Sequence, residues 1–78
     1  MSRVMERPAL TVEQVELLTK LCIPQKVLCQ EMGISGLALQ ARINRLLVRF
    51  GVENQRALLV KVLKLGIVRL ESVEYREF

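Results

Sequence analysis

The chain contains no His, no Asp and no Trp, and all eight of its acidic side chains are Glu. Without imidazole, the usual metal-ligand sets and the His-dependent acid–base and nucleophilic arrangements cannot be assembled. The expectation is a protein that is not an enzyme and carries neither a metal nor another cofactor. Cysteine is nearly as scarce: Cys22 and Cys29 are too few for a disulfide framework or a closed zinc site, and they read as small apolar core residues. That usage fits a reduced, cytoplasmic setting. No apolar run reaches the ~18 residues of a membrane span, and the first residues lack the charged and apolar regions of a signal peptide, so no membrane association is expected. Repeats, low-complexity tracts and long linkers are also missing. Aromatics are 4% of a chain that is 51% hydrophobic, so the core must be built from Leu, Val, Ile and Met, a mixture that suits helices packed on helices. At 78 residues, one small domain is all the length allows.

Acidic side chains are missing from one region in particular. The formal charge is +4 over the chain, yet residues 42–69 carry Arg42, Arg45, Arg49, Arg56, Lys61, Lys64 and Arg69 against Glu53 alone. Residues 1–41 balance to zero, and the last nine residues are net acidic. Such concentration suits a polyanionic partner, because each neutralised phosphate releases condensed counterions. A solvated basic face is the alternative at this point.

Four helices are expected, over about 11–22, 25–32, 35–50 and 55–65, preceded by a flexible arm (1–9) and followed by an acidic tail (69–78). Thr11 and Gln14 form a capping box, with Leu10 and Val15 placed for a hydrophobic staple. Val15, Leu18, Leu21 and Cys22 then give one apolar side, and Ile23-Pro24 ends the first helix. The second, with apolar Val27, Leu28 and Met32, stops at Gly33, a residue suited to the left-handed C′ position. Ser35 caps the third. Leu39, Ile43, Leu46, Leu47 and Phe50 recur at the spacing that lines one side of that helix. Gly51 ends it, Asn54 caps the fourth, and Gly66 closes the fourth. Helix, tight turn and basic helix make the outline of a helix-turn-helix. The apolar residues of the fourth helix cover more than half its circumference, more than one core uses. Leu59, Val60 and Leu63 are therefore expected to form a self-association face; the alternative is that the tail folds back over them.

These residues resemble a known family. LTVEQVELL, MGIS, the basic helix, FGVEN and LKLGIV, in this order and spacing, are similar to the DNA-binding domain of LuxR-type transcription regulators. The likeness covers residues 10–68, and from Ser35 to Val68 it runs without a gap. It implies an all-α, four-helix domain of LuxR type, whose second and third helices form the helix-turn-helix and whose fourth helix makes a homodimer. The departures fall on polar positions. After its capping serine the family usually reads Thr-Val-Lys-x-His, where this chain has Ala38, Leu39, Gln40, Ala41 and Arg42. A basic residue common near the end of that helix is Val48 here. The family's Arg-Glu pair is Glu13-Gln14, and the connection before the second helix is shorter.

With the core direction set by Leu39, Ile43, Leu46 and Phe50, the opposite side presents Leu37, Ala41, Asn44, Arg45 and Val48, with Gln40 at one flank and Arg42 and Arg49 at the other. In a major groove, Gln40 and Asn44 suit adenine edges, Arg45 guanine and Ala41 a thymine methyl. Ser35, Arg42 and Arg49 suit phosphates, although a solvated arginine without a partner is the alternative for each. Two functions fit this pattern. One is a sequence-specific regulator of transcription that inserts its third helix into double-stranded DNA. The other is a protein-interaction module or antagonist that keeps the fold and binds a partner protein rather than DNA, for instance by pairing through the fourth helix; the mildly apolar outward stripe of Leu37, Ala41 and Val48 suits it, and Glu13 and the acidic tail favour it.

Overall fold

The computed structural model describes residues 9–76. Residues 1–8 of the expected arm, and Glu77 and Phe78 of the tail, lie outside the described residues. The described chain is all-helical: α1 (Val12–Thr19), α2 (Gln25–Met32), α3 (Gly36–Phe50), α4 (Gln55–Lys64) and a 3-10 turn at Leu70–Ser72. No β-strand occurs among the described residues.

The starts of α1, α3 and α4 each use a side-chain cap, whereas α2 follows Pro24 without one. At α1, Gln14 N–H donates to Thr11 Oγ1 and Thr11 N–H to Gln14 Oε1, both at 3.0 Å, closing the capping box. Ser35 Oγ accepts from Ala38 N–H at 3.1 Å, and Asn54 Oδ1 accepts from Ala57 N–H at 2.8 Å. Each side chain satisfies a backbone donor that the first helical turn leaves open. Between α2 and α3, Gly33 sits at φ 69°, where its N–H and that of Ile34 both reach the Cys29 carbonyl, at 2.8 and 3.1 Å. A side chain there would strain the backbone, so the three-residue turn depends on glycine.

α1 ends at Thr19, short of the expected residue 22. The reason is competition for the core. On a continuing helix, Leu21 and Ile23 would stand about 200° apart and could not face one core together. Instead the chain tightens, with Lys20 N–H donating to the Leu17 carbonyl at 2.9 Å and Ile23 N–H to the Lys20 carbonyl at 3.0 Å. Both Leu21 and Ile23 are then buried, while Cys22 between them points to solvent. The expectation of Cys22 as a core residue is therefore corrected; Cys29 is half-buried and packs against the core.

α3 packs on both α2 and α4. Its Leu39, Ile43 and Leu46, with Phe50 at the far end, meet Leu18 of α1, Leu28 of α2, and Leu58 and Val62 of α4 in one continuous core without a buried polar or charged residue. Burial of each such side chain contributes on the order of 1.5–3 kcal/mol, and this stripe is what holds α3 in place.

The tail does fold back, but onto α1 and α2. Val73 packs against the core, Glu74 N–H donates to the Thr19 carbonyl at 2.7 Å, and Arg76 grips Glu31 of α2 through Nε–Oε2 and Nη2–Oε1 contacts of 2.8 Å each. The two hydrogen bonds from Arg76 hold the Glu31 carboxyl below its ordinary value, and the guanidinium's own value rises in return. Leu70 and Tyr75 stay exposed. The exposure difference between the two thiols is directly checkable. An alkylating reagent should modify Cys22 in the folded chain well before Cys29, as read by mass spectrometry of partly labelled protein; equal rates under native conditions would contradict this placement.

Candidate functional site

Burying Leu39, Ile43, Leu46 and Phe50 leaves the other side of α3 in solvent, and that side divides lengthwise into three strips. The middle strip is apolar. Leu37 is 86% exposed, Val48 is 81% exposed, and Ala41 between them is exposed as well.

Arginines form the strip toward α1. Arg42 and Arg45 line a groove whose other wall is Thr11, Glu13 and Gln14 at the start of α1. Arg49 continues this edge, where its Nη2 donates to the carbonyl of Ala9 and ties the entering chain to α3. Arg45 thus belongs to the α1-facing edge rather than the centre of the outward side. Among the described residues none of these three arginines forms an ion pair.

Amides form the strip toward α2 and α4. Gln40 Nε2 donates to Asn44 Oδ1 at 3.1 Å, one turn along the helix. Gln40 Oε1 in turn accepts from Gln25 Nε2 at 3.2 Å, and the same Gln25 nitrogen donates to Gln55 Oε1 at 3.1 Å. Gln55 Nε2 donates to the backbone carbonyl of Leu21 at 3.2 Å. A run of amides therefore leads from the turn after α1, past the first residues of α4 and α2, to the outward side of α3. Sequence periodicity reads Gln25 and Gln55 only as helix starts, since pairs separated by 15 and 30 residues leave no local pattern. Their one sequence signal is an uncharged amide at the first position of each helix.

Of the residues expected on this surface, Gln40, Ala41, Asn44, Arg45, Arg42 and Arg49 are all exposed. Ser35, also exposed, spends an oxygen lone pair on its cap and keeps its hydroxyl hydrogen free to donate.

The expected association face on α4 is less uniform. Leu59 and Leu63 are half-buried and pack against the core, whereas Val60 is 45% exposed. Val60 lies with Ala57 in a shallow groove bordered by Arg56, Lys61 and Lys64. The tail bonds to α1 and α2, so the alternative of a tail folded over this face of α4 finds no support in its hydrogen bonds.

Among the described residues no three His, Cys, Asp or Glu side chains come together as a metal-ligand set, and no helix is long and apolar enough to cross a membrane. Compared with known proteins, the chain matches no family model, no curated protein and no solved structure.

Proposed function

We propose that this chain is a sequence-specific DNA-binding regulator of transcription, a helix-turn-helix domain of LuxR type acting in the cytoplasm. The observation that carries this reading is the outward side of α3, where exposed amides lie along one edge and exposed arginines along the other. α2, the turn at Gly33 and α3 supply the two helices and the tight connection that the motif requires. In this arrangement α3 enters the major groove. Asn44 meets a base edge with Gln40 beside it at the flank, Ala41 meets a thymine methyl and Arg45 meets guanine. Arg42, Arg49 and the Ser35 hydroxyl hold the phosphate backbone, contacts that set register without carrying sequence information.

A second reading, a protein-interaction module or antagonist, draws on one observation: Leu37 and Val48 are the most exposed large apolar side chains of α3. A helix face with that middle strip also suits an apolar groove on a partner protein. The two readings separate in a salt titration against mixed-sequence duplex DNA. DNA binding through several phosphates makes log K fall with log salt at a slope of roughly −0.9 per contact, whereas no binding at about 50 mM salt overturns the DNA reading. Arg42→Ala should weaken binding to all duplexes alike and reduce the slope by about one contact. Arg45→Ala should relax preference at a single base pair by about 1–3 kcal/mol.

For assembly we propose a homodimer through α4, which places two copies of α3 on half-sites one DNA turn apart. Leu59, Val60 and Leu63 supply its apolar contact, and Val60 is its exposed centre. Arg56, Lys61 and Lys64 then approach their own copies across the two-fold axis, so screening favours the pair. The expected result in sedimentation is a dimer that tightens as salt rises and that Val60→Lys weakens by adding like charge at the exposed centre of the face, with Leu59→Glu as the stronger variant. A mass independent of concentration and of both substitutions rules out this face.

A further inference from the structure

The amide run at α3 has a direction, and one backbone atom sets it. The Leu21 carbonyl oxygen can only accept, so Gln55 must turn its Nε2 toward it, at 3.2 Å. Gln55 then presents Oε1 to Gln25, which must answer with its nitrogen, at 3.1 Å. The two hydrogens on that nitrogen are divided between Gln55 Oε1 and Gln40 Oε1. Gln40, its oxygen occupied, offers Nε2 to Asn44, and Asn44 accepts with Oδ1 at 3.1 Å. Reversing any one amide sets two donors or two acceptors face to face. The polarity fixed at Leu21 therefore reaches Asn44, whose Nδ2 is turned away from the run.

We propose that Gln25 is a positioning residue for base recognition, holding Asn44 through Gln40 so that Asn44 is the amide that reads an adenine edge. The inference rests on the DNA-binding reading above and sharpens it. Both ends of the Gln40 amide are engaged within the protein, so Gln40 serves as a strut. Asn44 keeps the two hydrogens of Nδ2 and one lone pair of Oδ1. That set matches adenine in the major groove, where N7 accepts from Nδ2 and the N6 amino group donates to Oδ1. A side chain already held in its bound orientation loses less rotamer freedom on binding, which converts more of the contact into discrimination. Gln25 touches no base in this arrangement. Its effect, and that of Gln55 behind it, is confined to the base pair that Asn44 reads.

The test uses the full chain. Duplexes are selected from a randomised library, and affinities are measured for the selected site and its single-base variants. Wild-type protein should show about tenfold discrimination or more at one A·T pair. Gln25→Ala should reduce that to within about threefold while leaving the salt slope unchanged, and Gln25→Glu, which keeps the shape but cannot donate, should lose discrimination at the same pair. Adding Gln25→Ala to Asn44→Ala should cost nothing further at that pair, since both act through one contact. Full discrimination retained by Gln25→Ala overturns the inference and leaves DNA binding standing. Absence of DNA binding by the wild-type chain overturns both. A readout free of DNA is the side-chain amide resonance pair of Asn44: it should move in the free Gln25→Ala chain, and an unmoved pair overturns the relay.

Discussion

The buried stripe of Leu39, Ile43, Leu46 and Phe50 sets the rotation of α3 about its own axis, and the other features of this surface depend on that rotation. A helix turned by one residue moves every side chain by about 100°, which would bring Gln40 inward and expose Leu39. Burying an unpaired amide while exposing a leucine costs several kcal/mol, comparable with the whole stability of a small domain. The rotation is therefore held by the core. Leu28 of α2 and Leu58 and Val62 of α4, all fully buried, grip the stripe from two sides.

Once that rotation is held, the neighbours of α3 decide the character of each edge. α1 lies along the arginine edge and contributes Glu13 to its groove, yet the arginines remain without ion pairs among the described residues. α2 and α4 begin beside the opposite edge, and each contributes a glutamine that orders the amides there. One edge thus carries exposed positive charge, and the other carries hydrogen-bonded amide donors and acceptors. The tail stands apart from this surface, closing over α1 and α2 through Glu74 and the Arg76–Glu31 pair.

Much of the helical framework is legible in the sequence because its signals span four residues or fewer. Thr11 with Gln14, Gly33 before Ser35, and Asn54 at the start of α4 each satisfy backbone groups within their own turn. The apolar period of α3 is equally local, and it separates the buried Leu39 from the exposed Ala41 and Asn44. What escapes is settled by groups distant in the chain. The early end of α1 follows from Leu21 and Ile23 both seeking a core that other helices build. Leu59 and Leu63 read as surplus on a single wheel, yet part of their surface goes to the core. The lean of Arg45 toward α1, the Gln25–Gln40–Gln55 contacts and the Arg76–Glu31 pair all join segments whose partners no local period reveals.

The central claim is that the outward side of α3 is the surface that meets DNA. Titrating the isotopically labelled chain with a mixed-sequence duplex at about 50 mM salt, while following amide resonances, tests it most directly. The account predicts shifts centred on Gln40, Ala41, Asn44 and Arg45, with Arg42 following along the arginine edge. Resonances of α3 that stay in place, or shifts confined to Val60, Lys61 and Lys64 on α4, would contradict it.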